Sequence, residues 1–130
     1  MSLENEVRTY GMSQKVFEKK LQEKYQRLVR NFRVYEIEDL VKRTGIKPDV
    51  KESEVQEAYH GYIQTGCIFE SQIKMMEKLT GIMPKYDPEK MQAIYHQIAS
   101  KGQPQRISEL EAITKVAASE DVIRAYLLAK

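Results

Sequence analysis

Apolar residues recur along this chain at three- and four-residue steps almost from end to end, the spacing of one face of an α-helix. In VFEKKLQEKYQRLVRNF the stripe is Val16, Phe17, Leu21, Tyr25, Leu28 and Phe32. VYEIEDLVKRTG carries Val34, Ile37, Leu40 and Val41 and closes at Gly45, a residue free to take positive φ beyond a helix end. Pro48 then bars continuation. A third stripe of Val55, Ala58, Tyr59, Tyr62 and Ile63 opens at Glu52 or Ser53 and closes at Gly66. A fourth runs from Cys67 through Ile68, Phe69, Ile73, Met76 and Leu79 to Gly81, with Pro84 beyond. Asp87-Pro88 reads as an N-cap followed by a first-turn proline. Met91, Ile94, Tyr95 and Ile98 come next, stopped by Gly102 and Pro104. Ile107, Leu110 and Ile113 predict a sixth helix, and Ser119 caps a seventh. No segment alternates for long enough to predict a strand. The chain reads as all-α, with about seven helices.

The turn signals repeat in frame. TGIKPD at 44–49 returns as TGIMPK at 80–85. Laying 40–62 over 76–98 without a gap pairs Lys42 with Lys78, Thr44 with Thr80, Gly45 with Gly81 and Ile46 with Ile82. Pro48 meets Pro84, Gln56 meets Gln92, Tyr59 meets Tyr95 and His60 meets His96, eight identities in twenty-three positions. Leu21, Gln22 and Tyr25 match Val55, Gln56 and Tyr59 upstream, and Ile113-Thr114-Lys115-Val116 is a shorter echo downstream. A period of about 34 to 36 residues, built as helix, link, helix and glycine turn, predicts an α-helical repeat array. Its antiparallel helix pairs stack as an α-solenoid because no pair buries its own stripe. The boundaries expected are an N-terminal segment 1–14, units 15–49, 50–85 and 86–118, and a terminal helix 119–130.

Composition narrows the chemistry. The chain has 130 residues, 42% of them hydrophobic and 31% charged, which is ordinary for one globular domain and unlike a disordered segment. No apolar run approaches the roughly 18 residues of a membrane span, and MSLENEVRTYGMSQ has neither a signal nor a transit character. Cys67 is the single cysteine, so an intramolecular disulfide and a cysteine metal cluster are excluded, and an intracellular, reducing compartment is expected. Packing is the expected role of Cys67 and of Met75, Met76, Met83 and Met91. His60 and His96 occupy equivalent places one helix spacing apart, about 10 Å, too far to share a metal. No phosphate-cradling glycine loop or nucleophile elbow is present, so neither a cofactor nor an enzyme is expected.

Net charge is +2, too small to argue for nucleic acid, but its distribution is uneven. Lys15, Lys19, Lys20, Lys24, Arg27, Arg30 and Arg33 face only Glu18 and Glu23 within one segment. Such a run is either a solvated face or an electrostatic footprint for phosphate or an acidic partner.

Which array this is turns on side-chain size. A tetratricopeptide repeat needs a small residue inside its first helix, where Tyr25, Tyr59 and Tyr95 stand here. TGIKPD followed by VQEAYHGYIQTG instead resembles the pentatricopeptide-repeat family, whose units end in Gly-Ile-x-Pro-Asp; the likeness covers 15–118. That resemblance implies a superhelix binding single-stranded RNA, one base per unit, in a mitochondrion or other organelle. It also implies base-reading pairs, carried over as Gln22 with Asp49, Gln56 with Lys85, and Gln92. Asp49 matches the family's pattern, whereas the glutamines and Lys85 depart from it. Glutamine still pairs with base edges, and Lys20, Lys24, Arg27 and Lys85 would meet phosphates.

Two other readings stand beside it. A helical-repeat adaptor or structural subunit would keep the scaffold and hold proteins. A helix-turn-helix DNA regulator would use IEDLVKRTGIK or ISELEAITKVAASEDVIRAY. The closing helix spreads Val122, Ile123, Tyr126 and Leu127 around more than one side, which predicts a surface for self-association or another chain.

Overall fold

The computed structural model describes residues 13–65 and 68–129, without the side chains of Pro104, Tyr126 and Ala129. Gly66 and Cys67 therefore lie outside the described residues, as does the Tyr126 side chain. Regular structure among the described residues is entirely helical, in seven helices with no strand. They are α1 (Gln14–Arg30), α2 (Val34–Thr44), α3 (Glu52–Thr65), α4 (Glu70–Thr80), α5 (Pro88–Ser100), α6 (Pro104–Thr114) and α7 (Glu120–Ala129). Among the described residues no helix is long and apolar enough to cross a membrane.

Local chemistry accounts for the boundaries. Ser13 opens α1 by accepting the Val16 N–H on Oγ at 3.3 Å, satisfying one of the first-turn donors. Asp87 does the same for α5, its Oδ1 3.0 Å from the Glu89 nitrogen, with Pro88 in the first turn where no N–H is needed. Gly45 (φ 71°) and Gly81 (φ 73°) end α2 and α4 in the left-handed region and donate their N–H groups back to Val41 and Glu77. Lys115 ends α6 the same way at φ 63°, donating to Glu111, so the third copy of the turn is made without glycine. Phe32 is another departure. The apolar stripe predicts that α1 runs through it, yet the helix stops at Arg30 and Phe32 takes φ 55° with its ring buried. Burial of the ring holds a backbone conformation that costs an L-residue about 1–2 kcal/mol.

The chain forms two compact units whose boundary falls inside α3 rather than at the sequence repeat. The first comprises the described residues up to Ala58 together with Ser71–Pro84. There α1 packs on α2, and Leu21, Tyr25, Val29, Val34 and Ile37 are buried with Val55, Ile73 and Met76. The second comprises Tyr59–Glu70, as far as described, and Lys85 onward. In it α5 packs against both α6 and α7, and Tyr59, Ile63, Met91, Tyr95, Leu110 and Val122 are buried.

Val122 corrects the sequence reading. It was expected on an exposed partner surface with Ile123, Tyr126 and Leu127, but it is 0% exposed. Ile123 and Leu127 do face solvent, at 52% and 61% exposure, and Leu128 joins them. Adjacent helical positions point about 100° apart, so Val122 can be buried while Ile123 is not.

Candidate nucleic-acid interface

The repeated side chains converge on the links that follow each second helix. Gln22 on α1 donates from Nε2 to the Lys47 carbonyl at 3.1 Å and accepts the Asp49 N–H on Oε1 at 2.8 Å. Gln92 on α5 repeats the arrangement, donating to Ala117 at 2.7 Å and accepting from Ser119 at 2.9 Å. Gln56 on α3 donates to the Met83 carbonyl at 2.7 Å. A carboxamide presents a donor and an acceptor side by side, which suits one C=O and one N–H of an extended link. Carboxylate has no donor, and a lysine has no acceptor.

A threonine completes each link, and a tyrosine joins it in the first and third. Thr44, Thr80 and Thr114 donate their hydroxyls to the carbonyls of Leu40, Met76 and Leu110, and accept the N–H groups of Ile46, Ile82 and Val116. The Tyr25 hydroxyl donates to the Ile46 carbonyl at 2.7 Å, and Tyr95 donates to Val116 at the same distance. Burial raises both phenols above the ordinary tyrosine range; hydrogen bonding to Thr44 or Thr114 opposes this, and Glu111 adds to it for Tyr95.

Gln22 and Asp49, paired by the resemblance, are thus brought together, but through the backbone of the link, while Gln56 meets the carbonyl of Met83, two residues before Lys85. Each glutamine keeps only part of its hydrogen-bonding capacity for a ligand. Asp49 and Lys85 are exposed. The histidines are not equivalent. His60 is buried, accepts the Asp87 N–H on Nε2 at 3.0 Å and sets its ring edge-on to Tyr86, whereas His96 is exposed. Among the described residues no group of three His, Cys, Asp or Glu side chains is placed to hold a metal.

Cations cover the outer side of α1. Lys15, Lys19, Lys20, Lys24, Arg27 and Arg30 are all exposed, opposite the buried Leu21, Tyr25 and Val29, and span about half of the helix circumference. Lys20, Lys24 and Arg27 fall at i, i+4 and i+7, on one line. Among the described residues none of the six forms an ion pair; Glu23 is the acid standing among them. Helix α2 is different. There Lys42 pairs with Glu38 at 3.3 Å and Arg43 with Asp39 at 3.6 Å, while Arg33 just before it reaches Glu36 at 2.6 Å.

Fold and side-chain geometry together define an all-α protein that uses one helix–link–helix device three times and carries on its first helix a cationic face that forms no ion pair among the described residues. Comparison with protein-family models, with curated proteins and with solved structures returned no match.

Proposed function

We propose that this chain is a non-enzymatic, pentatricopeptide-like helical-repeat protein, its helix pairs stacked as an α-solenoid, that binds single-stranded RNA. The observation that carries the reading is the cationic face of α1. Six exposed cations with no ion pair among the described residues repel one another, and an array of phosphates relieves that repulsion while releasing counterions. Engagement of Gln22, Gln56 and Gln92 with the links argues for backbone contacts over base-by-base reading, so RNA is held with little sequence preference.

Fluorescence anisotropy with short single-stranded RNA and duplex DNA across a salt series tests this. Contact with four to six phosphates predicts a log–log salt slope of about −3 to −4 for single strands. Replacing Lys20, Lys24 and Arg27 by Glu abolishes binding while circular dichroism stays helical. Tighter binding of duplex DNA would favour the helix-turn-helix reading. Failure to bind either nucleic acid at low salt removes both.

A second reading rests on α7, where Ile123, Leu127 and Leu128 are exposed. In it the chain is an adaptor or structural subunit, and this side of α7 meets another protein or a second copy. Light scattering over a dilution series reports self-association directly.

A further inference from the structure

Beside the cationic face lies an aromatic side chain that the sequence periodicity assigns no role. Tyr35, in the first turn of α2, is 60% exposed, whereas Tyr25, Tyr59, Tyr62 and Tyr95 are buried. It lines a surface depression with Lys24 of α1 and with Glu36, Asp39, Leu40 and Arg43 of α2. Glu36 and Asp39 bring negative charge to this depression, but Glu36 is held by Arg33 and Asp39 by Arg43. Lys24 has no such partner among the described residues and belongs to the Lys20–Lys24–Arg27 line. An exposed ring next to an uncompensated cation offers one surface for a base face and one for its phosphate.

We infer that Tyr35 and Lys24 form a stacking subsite for one nucleotide of a single-stranded nucleic acid, Tyr35 taking the base face and Lys24 the adjoining phosphate. This rests on the RNA-binding reading and extends it. A plain phosphate-binding face holds a strand whether or not it carries bases. The subsite adds a contribution that requires a base yet tolerates any of them, because every base has a π-face.

Anisotropy titration of two strands of equal length and charge, a uridine-rich RNA and an abasic ribose-phosphate oligomer, separates the contributions. Wild-type protein binds the base-bearing strand more tightly. Tyr35→Ala and Tyr35→Leu, the latter keeping an apolar side chain without a ring, each weaken that strand about tenfold. Both bind the abasic strand as wild type does. Tyr35→Phe, which retains the ring, stays within about twofold of wild type on both strands. Lys24→Gln weakens both strands together and flattens the salt slope by about 0.7. Wild-type affinity for the base-bearing strand in both ring-less variants, or equal losses on the two strands, overturns the subsite and leaves the RNA reading standing. A wild-type protein that binds neither strand at low salt overturns the RNA reading, and the subsite with it.

Discussion

Replacing Gln92 by Met tests whether the repeated glutamine is a structural clamp. Methionine keeps the length of the side chain and its packing but removes the donor to Ala117 and the acceptor for Ser119, bonds of 2.7 and 2.9 Å. A net contribution of about 1 kcal/mol per hydrogen bond sets the upper loss near 2 kcal/mol. Gln92 is half-buried and the freed backbone groups can turn to water, so the loss falls between about 1 and 2 kcal/mol. For a chain of this size that lowers Tm by roughly 3–8 °C. The damage is also local. Ser119 caps α7, accepting the Val122 N–H on Oγ at 3.4 Å, and Val122 is the buried anchor of that helix. Thermal melting by circular dichroism gives the first number, and amide hydrogen exchange gives the location. Ser119 and Val122 should lose protection while the Leu21 and Tyr25 amides keep theirs. Gln105→Met, at an exposed position on α6, is the control and should stay within about 0.5 kcal/mol of wild type. An unchanged Tm with unchanged Ser119 protection in Gln92→Met would refute the clamp and return these glutamines to ligand recognition.

Two further tests address the turns and the buried phenols. A Cβ at Gly81 meets nothing within 4 Å, so Gly81→Ala isolates the cost of φ 73°, about 1 kcal/mol, while Lys115→Gly should stabilise by up to about 1 kcal/mol by relieving φ 63°; denaturant melts measure both. Tyr25 and Tyr95 have raised folded-state pKa values, so the folded chain holds these protons more tightly than the unfolded one. Their contribution is fully present below about pH 10 and is lost as pH rises through the folded values. Tyrosinate absorbance and helicity followed together should change in one alkaline transition that Tyr25→Phe, Tyr95→Phe removes in part.

Much of the fold was legible because helical burial is periodic. The Asp87-Pro88 and Ser119 starts and the Gly45 and Gly81 stops depend on contacts within a few residues, and the structure places each where the pattern does; the apolar stripes hold in their centres, but Val16 and Phe69 are exposed and α4 begins only at Glu70. The turn at Phe32 was not legible, since a left-handed non-glycine residue is held by burial of its ring and leaves no compositional mark. Lys115 was recoverable only by aligning the third echo of TGI with the first two. For the site, charge clustering on α1 was visible in the sequence, but its lack of ion pairs among the described residues is a property of geometry. Helix α2 has a similar density of charge and spends it on pairs at i+3 and i+4.

By itself the sequence determined the helical class, the three-fold repetition and the location of positive charge, all of which follow from spacing along one chain. Tertiary structure decided what the repeated residues do. Gln22 and Asp49 are 27 residues apart, and only the folded hairpin brings that amide within 2.8 Å of that backbone nitrogen. Likewise Val122 and Ile123 are neighbours of equal hydrophobicity, and the direction in which α7 rests on α5 buries one and exposes the other. Side-chain identity sets which interactions are available. Long-range closure of the chain selects among them, because a hydrogen bond or an apolar contact stabilises only the geometry in which its two partners meet.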